Sequence, residues 1–308
     1  MRSVSPFSVL LCFILSCVLL SCIQTDPANA PIVTLVDSEG TAVMLESHPQ
    51  RIISLGPSNT EILYALGAEQ RVLGVDDYSD YPPEVQVKPK LGAPFPSFNM
   101  ESIVALDPDL VVSVPLVQFN DQMRSHGIPV VVLDPRDLEE ILATILLLGD
   151  AIGAKDEALT LVSNLQHRIE AVRVGIKGSQ KVRVFYELDA TDSTRPYTVG
   201  PGSFVGDLIT LAGGWNVSSQ TAAAYPQVGL EFVVAMDPQV ILLGDAFAPY
   251  NPQTPEMVRR RPGWGIITAV QEGAIIPIDG DLTTRPGPRI VDGLEAIAEA
   301  LHPGWSSD

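Results

Sequence analysis

The sequence predicts an α/β protein of two similar lobes joined by a single long helix, with a ligand cleft where the lobes meet. Three observations lead there. The segment Glu101-Ser-Ile-Val-Ala-Leu-Asp-Pro-Asp-Leu-Val-Val112 returns without a gap as Glu231-Phe-Val-Val-Ala-Met-Asp-Pro-Gln-Val-Ile-Leu242. Each copy reads as a short helix, stopped because proline bars the preceding residue from the helical region, followed by a buried strand. Further landmarks return in the same order: LYALG at 63–67 as LITLAG at 208–213, and GIPVVVLD at 127–134 as GAIIPID at 273–279. The period is far longer than that of a solenoid repeat, which leaves two lobes. Between the copies no Gly or Pro interrupts residues 155–174, where Leu161, Val162, Leu165, Ile169 and Val172 keep helical spacing. A helix of that length spans about 30 Å and braces one lobe against the other.

The chain begins with a processing signal. Arg2 is a minimal positive region, and residues 9–20 are almost wholly apolar, which suits a signal peptide but is too short to span a bilayer. Leu19-Leu20-Ser21-Cys22 then resembles the lipobox of bacterial lipoproteins, in which the cysteine is acylated and becomes the new N-terminus. Ile14-Leu15-Ser16-Cys17 has the same pattern but leaves a stunted apolar region, so residues 1–21 are read as the signal peptide and Cys22 as the lipidated residue. A secreted chain cut near Ala30 without lipid is the alternative. All three cysteines (Cys12, Cys17 and Cys22) lie in this leader, so the exported part holds together without disulfides.

Residues 22–50 read as a tether and a small hairpin over 34–45 that turns at Ser38-Glu39-Gly40. The N-terminal lobe is expected over 51–153, the interlobe helix over 154–177 and the C-terminal lobe over 178–308. Arg51-Ile52-Ile53-Ser54-Leu55 is the first buried strand. Ser58 and Glu61 have the spacing of a capping box, and the helix they open runs to a stop at Gly67. Helices are also expected over 138–152 and 156–174. The glycine-rich stretch 200–206 reads as a loop entering a helix.

A formal net charge of −18 excludes a nucleic-acid partner, because nothing here neutralises a row of phosphates. The four histidines (His48, His126, His167 and His302) stand singly, with no cysteine near them, so neither a metal site nor a resident cofactor is expected. Neither a nucleophile elbow nor a phosphate-binding loop is present.

RIISLGPSNTEILYALG at 51–67, VLGVDDYSDYPPEV at 72–85, the two glutamate repeats and RPGPRIVDGLEAIAEALHPGW at 285–305 together resemble the helix-linked (class III) periplasmic binding proteins of ABC importers. That family serves vitamin B12, ferric siderophores and haem. The resemblance implies two Rossmann-like lobes, a monomer, and delivery of a small molecule to a permease dimer with its ATPase. It also implies an extracytoplasmic site of action, with the lipid anchor holding the protein to the membrane. The first-turn glutamates Glu101 and Glu231 occupy the positions that pair with permease arginines, although a glutamate there also favours its own helix through the macrodipole.

Within the family the likeness is greatest to the vitamin B12-binding members. It places Tyr78, Phe95, Tyr197 and Tyr225 as aromatic contacts to the corrin ring, and Asp281 with Arg285 near its amide side chains. Two tryptophans of those members are Phe95 and Tyr225 here, and a third aligns with Val114. A ferric siderophore or haem is the alternative cargo, with Arg285 facing the anionic chelate. An enzyme on a nitrogenase-like two-lobed scaffold would need cysteine ligands that the chain beyond Cys22 lacks.

Overall fold

Short apolar runs without alternation, such as Ile52–Ser54 and Val130–Val132, form strands covered on both faces. They recur at intervals filled by helices, which is the sequence pattern of parallel sheets. The computed structural model describes residues 33–95 and 97–305, and Cys22 with the rest of the expected leader lies outside them. Strands β1 (Val33–Val36) and β2 (Ala42–Leu45) pair antiparallel as the expected hairpin. Val33, Leu35, Val43 and Leu45 point into the main core, and the Ser38 N–H donates to the Val132 carbonyl at 2.9 Å. The hairpin is thus docked on the first lobe.

That lobe runs β3 (Ile52–Ser54), α1 (Pro57–Ala65), β4 (Val72–Val75), α2 (Met100–Ala105), β5 (Leu110–Ser113), α3 (Val117–Ser125) and β6 (Val130–Val132). Its sheet is parallel in the order β4-β3-β5-β6. Helices α4 (Leu138–Ile152) and α5 (Lys155–Gly175) follow. The second lobe runs β7 (Val182–Asp189), β8 (Tyr197–Thr198), α6 (Phe204–Leu211), β9 (Gly214–Asn216), α7 (Leu230–Met236), β10 (Val240–Leu243), α8 (Pro255–Arg259), α9 (Thr268–Glu272) and β11 (Ile275–Pro277). The chain ends in α10 (Gly280–Thr284) and α11 (Ile290–Leu301). Strands β9, β7, β10 and β11 repeat the parallel order of the first sheet, and β8 adds antiparallel to the far end of β7.

The repeat seen in the sequence is also a repeat of backbone geometry. Asp107 and Asp237, each before a proline, take left-handed conformations with φ of 47° and 41°. Proline excludes the right-handed region at these positions, and aspartate tolerates the left-handed one. In each lobe an arginine at the start of the neighbouring strand caps the exposed carbonyl. Arg51 Nε donates to Asp107 O at 2.7 Å, and Arg183 Nε to Asp237 O at 2.8 Å.

Alternate strand residues serve different cores, as the two-residue period requires. Ile52, Leu110, Val184 and Leu242 face one continuous cluster that also takes in Leu148 of α4, Leu165 of α5 and Ile297 of α11. Ile53 and Val111 face a second cluster, under α2 and α3; Phe185 and Ile241 face a third, against Val233 and Trp264. Helix α5 is 21 residues long, and its Arg168 binds Asp292 and Glu295 of α11, both at 2.5 Å. The two sheets therefore share an apolar helical layer.

The capping box is not formed. Gly56 is the N-cap of α1, without a side-chain bond to the helix, and Ser58 and Glu61 are both buried within it. Glu61 turns away from the helix start because a distant arginine competes for it. At 203, by contrast, Ser203 Oγ does cap α6, accepting from the Gly206 N–H at 3.2 Å.

Candidate ligand cleft

The carboxyl ends of β3 and β4 are fastened by a buried polar chain. Asp76, just beyond β4, accepts the Gly56 N–H at 2.8 Å, the Tyr78 N–H at 2.9 Å and the Ser79 hydroxyl at 2.5 Å. Ser79 continues to Thr60 and Thr60 to Ser54, each at 2.8 Å. Gly56 itself has φ +134°, and a Cβ there would stand 2.9 Å from Val114 Cγ1, so only glycine fits this turn. These bonds fix the loop that carries Tyr78, Asp80 and Tyr81.

From the second lobe, the segment after β11 reaches across to that loop. Arg285 donates to Asp80 Oδ1 at 2.6 Å, pairs with Asp281 Oδ2 at 2.7 Å and lies 3.5 Å from Glu61 Oε1. Arg289 grips both Glu61 oxygens and lies over the Tyr81 ring, 3.8 Å from its centre. The predicted pair of Asp281 and Arg285 is therefore brought together, but Arg285 also bridges the lobes. The two aspartates respond differently. Burial disfavours the charge on Asp80, yet the hydrogen bond and charge of Arg285 outweigh it and hold its carboxyl below the usual range. Burial pushes Asp281 up, with the charges of Asp80 and Asp279 adding to it against Arg285.

The four predicted aromatics are all exposed and lie at these same ends. Tyr78 follows β4. Phe95 lies on the loop after the Lys90 bridge to β4 and is 85% exposed, so it has no wall to rest on. Tyr197 pairs with Asp189 at the end of β7, and its bridge to Gln227 brings the segment of Tyr225 alongside. Burial raises the pKa of the Tyr225 hydroxyl. Sequence reasoning did not single out Glu61, Asp80, Tyr81 or Arg289 as site residues. Asp80 and Tyr81 stand inside the quoted YSDYPP run, but their partners lie more than two hundred positions away, at 285 and 289.

Beneath the second lobe's ends is a buried ion pair. Arg261 binds both oxygens of Glu187, holds Gln253 Oε1 at 3.1 Å, and stacks 4.7 Å over Trp264. Asp245 sits beside it and accepts the Ala190 N–H at 2.9 Å, while its Oδ1 is buried with no partner among the described residues. Burial, and then the Glu187 charge, push its carboxyl up to about 7.

Glu101 and Glu231 are exposed in the first turns of α2 and α7, at equivalent positions of the two lobes. Among the described residues neither forms an ion pair, so both carboxylates are open to a partner.

The profile of the periplasmic binding proteins matches residues 52–282, well over half of the chain. The chain belongs to the periplasmic binding protein family. This binding protein is 30% identical over 280 residues to an ABC transporter substrate-binding lipoprotein of Bacillus subtilis, an alignment covering 88% of this chain and 86% of the relative. It is 32% identical over 254 residues to the vitamin B12-binding protein of Salmonella typhi, covering 82% and 90%. Among solved structures, the periplasmic haem-binding protein of Roseiflexus sp. RS-1 superposes with a TM-score of 0.71 at 26% identity, covering 83% of this chain and 99% of that one. The two-lobed α/β fold is that of the family. The binding protein is a non-enzymatic, extracytoplasmic transport component that takes up a small molecule.

Proposed function

We propose that this periplasmic binding protein is the substrate-binding lipoprotein of an ABC importer and that it carries cobalamin or a related corrinoid. The observation that carries the reading is the set of exposed aromatics, Tyr78, Tyr197 and Tyr225 with Phe95 beside them, on the strand ends of both lobes. Exposed rings at the strand ends of both lobes suit a flat, largely apolar macrocycle, and Asp281 and Arg285 add polar contacts for its amide fringe. Resemblance to the vitamin B12-binding protein of Salmonella typhi supports the same cargo. Haem is the second reading, favoured by the likeness to the Roseiflexus haem-binding protein. A ferric siderophore is the remaining cargo of the class.

The protein acts as a monomer, with Glu101 and Glu231 meeting permease arginines at each end. Cys22 carries the lipid, and Cys22→Ser is expected to move the protein from the membrane fraction to the soluble one. Titration of the purified protein with cyanocobalamin, haemin and a ferric catecholate tests the cargo. Absence of cyanocobalamin binding at micromolar concentration rejects cobalamin.

A further inference from the structure

Arg285 is the cation that would greet an anionic cargo, and its charge is already claimed. Its side chain is 14% exposed, and its guanidinium is held between Asp281 of its own lobe at 2.7 Å and Asp80 of the other at 2.6 Å. Glu61 stands behind at 3.5 Å, although its carboxylate is bound chiefly by Arg289. Three carboxylates thus meet two guanidiniums, and the cluster is net negative. Two of the carboxylates are also its outer surface, since Asp80 is 57% and Asp281 47% exposed while the arginine is tucked beneath them. A ligand entering from the cleft meets acceptor oxygens first. Amide N–H groups satisfy such oxygens; carboxylates or catecholates are repelled until Asp80 gives way.

We propose that Asp80 is a specificity-determining residue: by reaching across the cleft to occupy Arg285, it selects a neutral or cationic ligand fringed with hydrogen-bond donors and turns away anionic chelates. The inference rests on the cobalamin reading for the cargo it favours, but its mechanism concerns ligand charge alone. Asp80 lies on a loop fixed by Asp76 and Ser79, so substitution of its exposed carboxylate leaves the loop's own bonds in place.

The test measures haemin affinity, with two propionates as the anionic probe, in the wild-type protein, in Asp80→Asn and in Asp80→Glu. Asp80→Asn removes the carboxylate that reaches Arg285 from the other lobe, leaving Asp281 as its close partner, and should tighten haemin by about tenfold or more, a gain that shrinks at high salt. Asp80→Glu restores the charge and should return haemin affinity towards wild type, which a merely structural role for the loop would not do. Cyanocobalamin binding to the wild-type protein is measured alongside and bears only on the cargo. If Asp80→Asn binds haemin no more tightly than wild type, or Asp80→Glu gains as much as Asp80→Asn, the assignment to Asp80 is overturned whether or not cyanocobalamin binds.

Discussion

Arg289 and Glu61 are joined by two hydrogen bonds, Nε to Oε2 at 2.9 Å and Nη2 to Oε1 at 2.6 Å, although 228 positions separate them. The Glu61 side chain is almost fully buried in α1, and Arg289 is the N-cap residue of α11, so this pair fastens the two lobes at the rim of the cleft. Removing the arginine leaves a buried carboxylate facing the more distant Arg285, 3.5 Å away, which costs about 3 kcal/mol. Arg289→Ala should therefore lower stability by about that amount in urea unfolding, while adding Glu61→Gln should recover part of the loss. Simple additivity of the two substitutions would reject the pair as a stabilising contact.

Asp245 gives the protein a pH dependence of known sign. Its folded pKa of about 7 lies above the ordinary 3.8 because burial and the Glu187 charge oppose ionisation. The stabilisation from its bound proton is complete below about pH 4 and is lost as pH rises through about 7. Asp245→Asn carries no such loss. Its melting temperature should exceed that of wild type at mildly alkaline pH, by an effect on the order of 2 kcal/mol, and the advantage should vanish in acid. A difference independent of pH would contradict this.

Glu101 and Glu231 are both exposed, and each stands in the first turn of a short helix. Replacing both with lysine should abolish transport into cells or proteoliposomes while leaving ligand affinity and melting temperature close to wild type. Transport that survives the double replacement would remove them from docking.

The aromatic contacts differ in how well they are supported. Tyr225→Ala and Tyr197→Ala should each weaken cyanocobalamin by roughly fivefold, as loss of about 1 kcal/mol of ring contact requires. Phe95→Ala should matter less, because that ring is 85% exposed and begins with little support. Equal, negligible effects at all three positions would move the ligand elsewhere.

The two-lobed α/β architecture and its long connecting helix are legible in the amino-acid order alone. Residues 101–112 and 231–242 repeat apolar periodicity and Asp-Pro stops, and those signals act over a few positions, where local sterics and burial decide the backbone. The same order determined that Glu101 and Glu231 occupy matching first turns, because register is preserved in a gapless repeat. What the charged side chains do depends on the folded arrangement. Glu61 has the spacing of a local cap, yet Arg289 draws it away, since a buried carboxylate is stabilised more by a guanidinium than by one more backbone N–H. Asp80 reads as one acid in an aromatic run, yet it bridges to Arg285 across the cleft. Long-range ion pairing leaves no periodic trace, because it depends on which loop ends the fold brings face to face.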